Sequence, residues 1–136
     1  RVFQAEDAAL TGSPAPTRST ENPGYTGWGY VGTFGEQGQS VMFTVNNVGT
    51  YSPHTLQFRV RTIENGIQRR IWVNGTPIAT INIPRTATAW TQNSWAYVSV
   101  PVAAALRQGA NYIEVEYIGA SYVHYVDLDS LTVVRA

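Results

Sequence analysis

Oxygen-bearing side chains gather near both ends of this chain, at spacings that could carry chemistry. In Val2-Phe3-Gln4-Ala5-Glu6, Gln4 and Glu6 stand two residues apart. On an extended strand they would project to one side, about 7 Å apart at their Cα atoms. Val126-Asp127-Leu128-Asp129 repeats the arrangement near the other end. If the first and last strands are neighbours, Gln4, Glu6 and one of the aspartates offer a hard oxygen site. Loop carbonyls would complete the roughly six to eight ligands that calcium prefers. From spacing alone the plainer reading stands ahead, in which each acid simply faces water.

The second group is aromatic. Trp28 sits between Gly27 and Gly29, Trp90 between Ala89 and Thr91, and Tyr122 and Tyr125 in a polar stretch. No strand would bury rings so placed, and exposed rings rimmed by polar groups mark binding surfaces. Flat apolar faces suit the C–H faces of pyranose rings, while neighbouring Asn, Asp, Arg or His can hydrogen-bond the hydroxyls. Trp72, Trp95 and Tyr97 fall on strand-like runs, where aromatics serve as core or sheet-surface residues.

Catalysis finds less support. Glycoside hydrolysis needs two carboxyls about 5 to 10 Å apart across a cleft. Asp127 with Asp129, or Glu114 with Glu116, meet the spacing, but one small domain offers little cleft around them. His54 and His124 have no recognisable nucleophile partner, and lone histidines are usually structural or solvated. Phosphate-binding glycine loops, metal-binding His pairs and nucleophile elbows are absent.

The elements that must position these residues follow from length and pattern. The 136 residues suffice for one domain with its own core, taken as residues 1–136. Charged residues make up 13% of the chain and aromatics 12%, with nine basic residues balancing nine acids. That balance excludes the basic field nucleic acid binding requires. No apolar stretch approaches the roughly 18 residues of a membrane helix. The start, Arg1-Val2-Phe3, shows neither an initiator Met nor a signal peptide, so a processed or excised piece is expected. Zero Cys removes thiol chemistry without settling the compartment.

Short period-two runs recur, separated by Gly, Pro, Asn and Thr. They include Val41, Phe43, Val45; Leu56, Phe58, Val60; Ala96, Val98, Val100; and Ile113, Val115, Tyr117. This is the pattern of an all-β sandwich, with about nine antiparallel strands in two sheets. Asn74-Gly75, between Ile71-Trp72-Val73 and the run from Ile78 to Ile83, tolerates the positive φ of a tight hairpin turn. Ala103 to Arg107 looks helical but is too short to be more than a turn. Thr11 to Gly29, rich in Gly, Pro, Ser and Thr, reads as a long surface loop.

Five landmarks then fall in register. They are Phe3-Gln4-Ala5-Glu6-Asp7-Ala8, Gly24-Tyr25-Thr26-Gly27-Trp28-Gly29-Tyr30-Val31, Trp72-Val73-Asn74-Gly75, the stretch Leu106 to Asn111, and Asp127-Leu128-Asp129-Ser130-Leu131-Thr132-Val133. Together they resemble carbohydrate-binding modules of family 35 and, more distantly, family 6, over essentially the whole chain. The resemblance implies a jelly-roll β-sandwich with a structural calcium near the N-terminus. Gln4 and Glu6 match the paired ligand positions, Asp129 the closing-strand aspartate, and a carbonyl of the long loop, Gly24, adds to the shell. With this pattern in hand, metal binding overtakes the solvated-acid reading.

The sugar site of such modules lies in loops at one end of the sandwich, away from that ion. Tyr30 and Trp90 match its stacking aromatics. Asp127 stands where the family usually has Asn. A carboxylate there loses the donor, repels an acidic sugar, and opens the alternative of a second calcium bridging to the ligand. Trp28, where many relatives have a small residue, and Tyr122 and His124 in an unusual loop suggest altered specificity. Arg85 is the nearest candidate partner for a uronic acid beside Trp90.

The expected function is therefore a secreted, monomeric, non-catalytic module that holds a catalytic domain in the same polypeptide on polysaccharide. Two other classes stay open, a small glycan-active enzyme using an acid pair and a structural or adhesive sandwich without a sugar site. The last predicts that Tyr30 and Trp90 are buried.

Overall fold

The computed structural model describes residues 1–46, 53–103, 106–119 and 124–135. These residues hold eleven strands: β1 (Val2–Gln4), β2 (Ala9–Thr11), β3 (Thr17–Ser19), β4 (Tyr30–Phe34), β5 (Ser40–Asn46), β6 (His54–Arg61), β7 (Ile67–Val73), β8 (Thr76–Ile83), β9 (Ala96–Val102), β10 (Ala110–Tyr117) and β11 (Val126–Arg135). One sheet runs β3-β4-β11-β6-β9, with β1 also paired to β11; the other runs β2-β5-β10-β7-β8. Every pairing is antiparallel. The long final strand β11 holds the first sheet together, taking β4 at its start and β1 further along one edge, and β6 along the other.

Alternation explains the core. Val41, Phe43 and Val45 of β5, Leu56, Phe58 and Val60 of β6, and Ile113, Val115 and Tyr117 of β10 are all buried between the sheets. Phe43 and Phe58 meet across the interior with ring centroids 6.3 Å apart. The Asn74-Gly75 turn joins β7 to β8 with φ of 50° and 83°, the paired positive values a tight hairpin demands.

Three expectations need correction. The strand count rises from about nine to eleven because β2 and β3, three residues each, are too short to show a period and exist through pairing with β5 and β4. The stretch from Thr11 to Gly29 is accordingly not one loop, since β3 interrupts it. Gln4 and Glu6 do not share a strand. β1 ends at Gln4, and Ala5–Asp7 form a 3-10 turn closed by Ala8 N–H donating to Ala5 O. Of the helical-looking stretch, Ala104 and Ala105 lie outside the described residues. No helix among the described residues is long and apolar enough to cross a membrane.

Candidate functional site

The site lies on the outer face of the first sheet, and two neighbouring strands build its frame. On β6 the apolar residues point inward, which sends Arg59 and Arg61 outward. β11 faces them with Asp127, opposite Arg61, and Asp129, set into a register shift between Leu128 and Ser130. Two cations thus meet two anions two residues apart. Arg61 is fully buried; its Nε and Nη2 both donate to Asp127 Oδ2, at 3.0 and 2.6 Å, and its Nη1 donates to the carbonyls of Pro23 and Gln92 at 3.1 Å each. One guanidinium thereby ties two loops, one ahead of β4 and one ahead of β9, to the aspartate. Its carbon lies 4.4 Å from the Trp95 ring centroid and 5.4 Å from that of Tyr30.

Above this frame opens a groove of about 450 Å³. Tyr30, Trp90 and Asp127, from β4, the β8–β9 loop and β11, all line it. Hydroxyls of Thr17, Ser19, Thr33 and Thr91 surround them, with Asn22 and Glu21 on the loop side. Gly32 leaves the floor open, since a Cβ there would stand 3.3 Å from Asp127 Oδ1 and 3.4 Å from the Tyr30 ring. Tyr30 itself is only 3% exposed, packed 5.8 Å from both Tyr25 and Trp95. It presents little ring to a ligand, so the stacking face falls to the half-buried Trp90.

Burial dominates the titration of Asp127, pushing its carboxyl up to about 6 against the opposing pull of Arg61. Both Arg61 nitrogens take Oδ2, and Oδ1 accepts no hydrogen bond among the described residues.

A second oxygen cluster forms where the 3-10 turn meets the segment from Thr26 to Gly29. Thr26 N–H donates to Asp129 Oδ1 at 2.8 Å, and its hydroxyl lies 2.7 Å from Asp129 Oδ2 and 3.1 Å from Gln4 Oε1. Glu6 Oε2 accepts from the N–H groups of Trp28 and Gly29, at 3.1 and 3.3 Å. Glu6 Oε1 is buried with no hydrogen-bond partner among the described residues. Gly27 presses so close that a Cβ would sit 2.4 Å from Glu6 Oε2. Burial raises the Glu6 carboxyl above its ordinary range; the surrounding N–H groups oppose this and the Asp129 charge adds to it. Two carboxylates, one of them with an orphaned buried oxygen, together with an amide oxygen and a hydroxyl suit a hard cation. No three His, Cys, Asp or Glu side chains cluster among the described residues, so the remaining ligands would be other oxygens.

The family model described as carbohydrate binding module (family 35) matches residues 1–133. The chain belongs to carbohydrate-binding module family 35. It is 31% identical over 135 residues to an isomaltosyltransferase from Sporosarcina globispora, covering 98% of this chain and 11% of that enzyme. It is 32% identical over 115 residues to a mannan endo-1,4-beta-mannosidase from Thermothelomyces thermophilus, covering 84% of this chain and 21% of that enzyme. A family 35 carbohydrate binding module from Clostridium thermocellum matches with a TM-score of 0.82 and 31% identity, over 100% of this chain and 98% of that one. The chain thus spans only 11% and 21% of the two enzymes' lengths, and nearly all of the isolated module's.

The family 35 fold brings some expected residues together and separates others. Trp28 is 56% exposed but lies beside the oxygen cluster, with Nε1 donating to Asp7 Oδ1 at 3.1 Å, and does not line the groove. His124 is half-buried next to the groove residue Tyr125, its main chain exchanging hydrogen bonds with Gly35 and Arg69. Tyr122 lies outside the described residues. The Gly24 carbonyl accepts from Arg59 Nη1 at 2.7 Å, and the same nitrogen donates to Asp129 Oδ2 at 2.9 Å, so Arg59 links Gly24 to the cluster. Arg85 bonds the carbonyl of Ile63, away from the groove.

Three of the four candidate acids are engaged elsewhere. Asp127 and Asp129 are each held by a separate arginine, and Glu116 accepts from Trp72 Nε1 with Arg70 nearby. Sequence reasoning missed Arg59, Arg61 and Thr26. The alternation Arg59-x-Arg61 facing Asp127-x-Asp129 was the available signal, but only strand pairing makes the two meet.

Proposed function

We propose that this module is a non-catalytic appendage that holds a polysaccharide-degrading enzyme, carried in the same polypeptide and exported from the cell, on its glycan. The observation that supports it best is the convergence of Trp90, Asp127 and Tyr30, three separate elements, on one groove rimmed by hydroxyls and an amide. A ring face to stack, an acceptor beside it and a polar rim are what a pyranose needs. The module works as a monomer. Its contribution is effective concentration, since tethering raises the substrate concentration around a catalytic domain without altering the reaction. The likeness to single domains within larger carbohydrate-active enzymes supports that placement.

In the same reading Gln4, Glu6, Asp129 and the Thr26 hydroxyl hold a structural calcium. The ion would supply the positive charge that Glu6 Oε1 lacks, and would tie the chain start, the closing strand and the loop carrying Trp28 into one unit. The chain's own residues orient the carboxylates through Thr26 and the N–H groups of Trp28 and Gly29.

The 3% exposure of Tyr30 is the one observation that favours a structural sandwich without a sugar site. A glycan array of neutral and uronic-acid polysaccharides, probed with native protein and Trp90→Ala, decides between them. Selective binding lost in Trp90→Ala supports the sugar groove. No binding to any glycan by the native protein overturns it in favour of the structural reading.

A further inference from the structure

The groove's charges point to the chemical class of its ligand, an inference that rests on the sugar-binding reading above. All nine basic residues are arginines, and all lie among the described residues. None lines the groove. Arg61, directly beneath it, is fully buried and spends its donors on Asp127 and the Pro23 and Gln92 carbonyls. Arg59 is committed to Asp129 and Gly24, and Arg85 to Ile63. The charged groups that do line the groove are two acids, Glu21 and Asp127.

Asp127 is also oriented. With both Arg61 nitrogens on Oδ2, the atom left beside the open Gly32 floor is Oδ1, without a partner among the described residues. An ionised carboxylate oxygen accepts and cannot donate. Whatever seats there must bring a donor, which on a neutral glycan is a hydroxyl O–H. A second carboxylate would meet like charge with no cation to answer it, and carboxylate recognition ordinarily runs through charge-assisted donors such as arginine.

We infer that this groove selects neutral glycans through an O–H donated to Asp127 Oδ1, and rejects uronic acids. Asp127 is then a specificity-determining residue. In Asp127→Asn, Arg61 holds the amide oxygen and turns the NH2 towards the groove. The acceptor becomes a donor and one negative charge is lost.

The test is titration calorimetry with gluco-, manno- and galacto-configured hexaoses, each beside its uronic acid counterpart, in calcium and in chelator. The native module is expected to bind at least one neutral hexaose, and its uronic partner on the order of a hundredfold more weakly, as like-charge juxtaposition costs. Asp127→Asn should narrow that gap. Glu21→Gln, at an exposed loop position, should narrow it less and guards against misfolding of the first variant. Uronic hexaoses bound as tightly as neutral ones by the native module, in either condition, overturn the selectivity while leaving sugar binding standing. Binding of neither series overturns the sugar groove itself.

Discussion

Two arginine–aspartate pairs stand two residues apart on the same two strands, yet their surroundings differ in kind. At the groove, Arg61 and Asp127 close on each other completely, and both loops above them are tied to the same guanidinium. At the other cluster, Arg59 meets Asp129, but Glu6 lies nearby with one buried oxygen that has no hydrogen-bond partner among the described residues. The first region pairs its aspartate with one cation, keeps Glu21 as the remaining negative charge on its lining, and offers Asp127 Oδ1 as an acceptor. The second keeps an excess of negative oxygen. On the two proposals above, one frame of alternating residues would serve a neutral ligand at one position and a cation at the next.

Breaking the first pair should have the largest effect. Arg61→Ala leaves Asp127 buried without its cation and two loop carbonyls without their donor. Removing one partner of a buried pair costs about 3–5 kcal/mol. Urea unfolding is expected to show a loss of that size, with glycan binding lost as well. Arg59→Ala leaves the buried Asp129 still held by the Thr26 N–H and hydroxyl, and is expected to cost less, about 1.5–3 kcal/mol. Equal losses in the two variants would remove the contrast.

Calcium sharpens it from the other side. If Gln4, Glu6 and Asp129 hold the ion, saturating calcium should raise stability against unfolding by about 2.7 kcal/mol at a hundred times its dissociation constant. Chelator should abolish that increment. Glu6→Gln should fold but lose most of the calcium-dependent part, while Asp127→Asn should keep it. A calcium increment that survives Glu6→Gln would place the ion elsewhere.

Trp90→Ala should act on binding alone. A stacking ring at the centre of a binding site is worth about 2 kcal/mol or more, so affinity should fall roughly thirtyfold or beyond. Trp90 is only half-buried and makes no hydrogen bond to the frame among the described residues, so unfolding free energy should change by about 1 kcal/mol at most. Trp28→Ala, outside the groove, should leave glycan affinity unchanged.

How far the sequence carried these conclusions depended on range. The apolar alternation of β5, β6 and β10 and the Asn74-Gly75 hairpin are local patterns, and they were legible. The pairing of the first and last strands enters the sequence reading only as a condition for the oxygen site, and the structure supplies it in the register of Gln4 with Ser130. What stayed hidden was non-local. The 3-10 turn that carries Glu6, the burial of Arg61 and Tyr30, and the Thr26 hydroxyl between Gln4 and Asp129 all arise from segments brought together across the sheet. The family resemblance makes Tyr30 a stacking ring. Its burial follows from Trp95 and Tyr25 packing on it, a contact that no spacing reveals.

The smallest effect is a pH dependence with opposite signs for fold and ligand. Burial lifts the Asp127 carboxyl from 3.8 to about 6 in the folded chain. A group whose folded value is raised holds its proton more tightly when folded. Its stabilising contribution is complete below about pH 4 and disappears as pH rises to about 6. Neutral glycan binding needs the ionised Oδ1 as acceptor, so affinity should instead fall, a few-fold, as pH drops through about 6. The other charged or titratable groups around Asp127 are Arg61 beneath it and Glu21, Tyr30 and Tyr125 along the groove, with His124 beside Tyr125. Calorimetric titrations between pH 5 and 8 on Glu21→Gln and His124→Asn should keep the fall in affinity, and Asp127→Asn should abolish it. A fall that vanishes in His124→Asn instead would move the titrating group off the aspartate and onto the loop beside it.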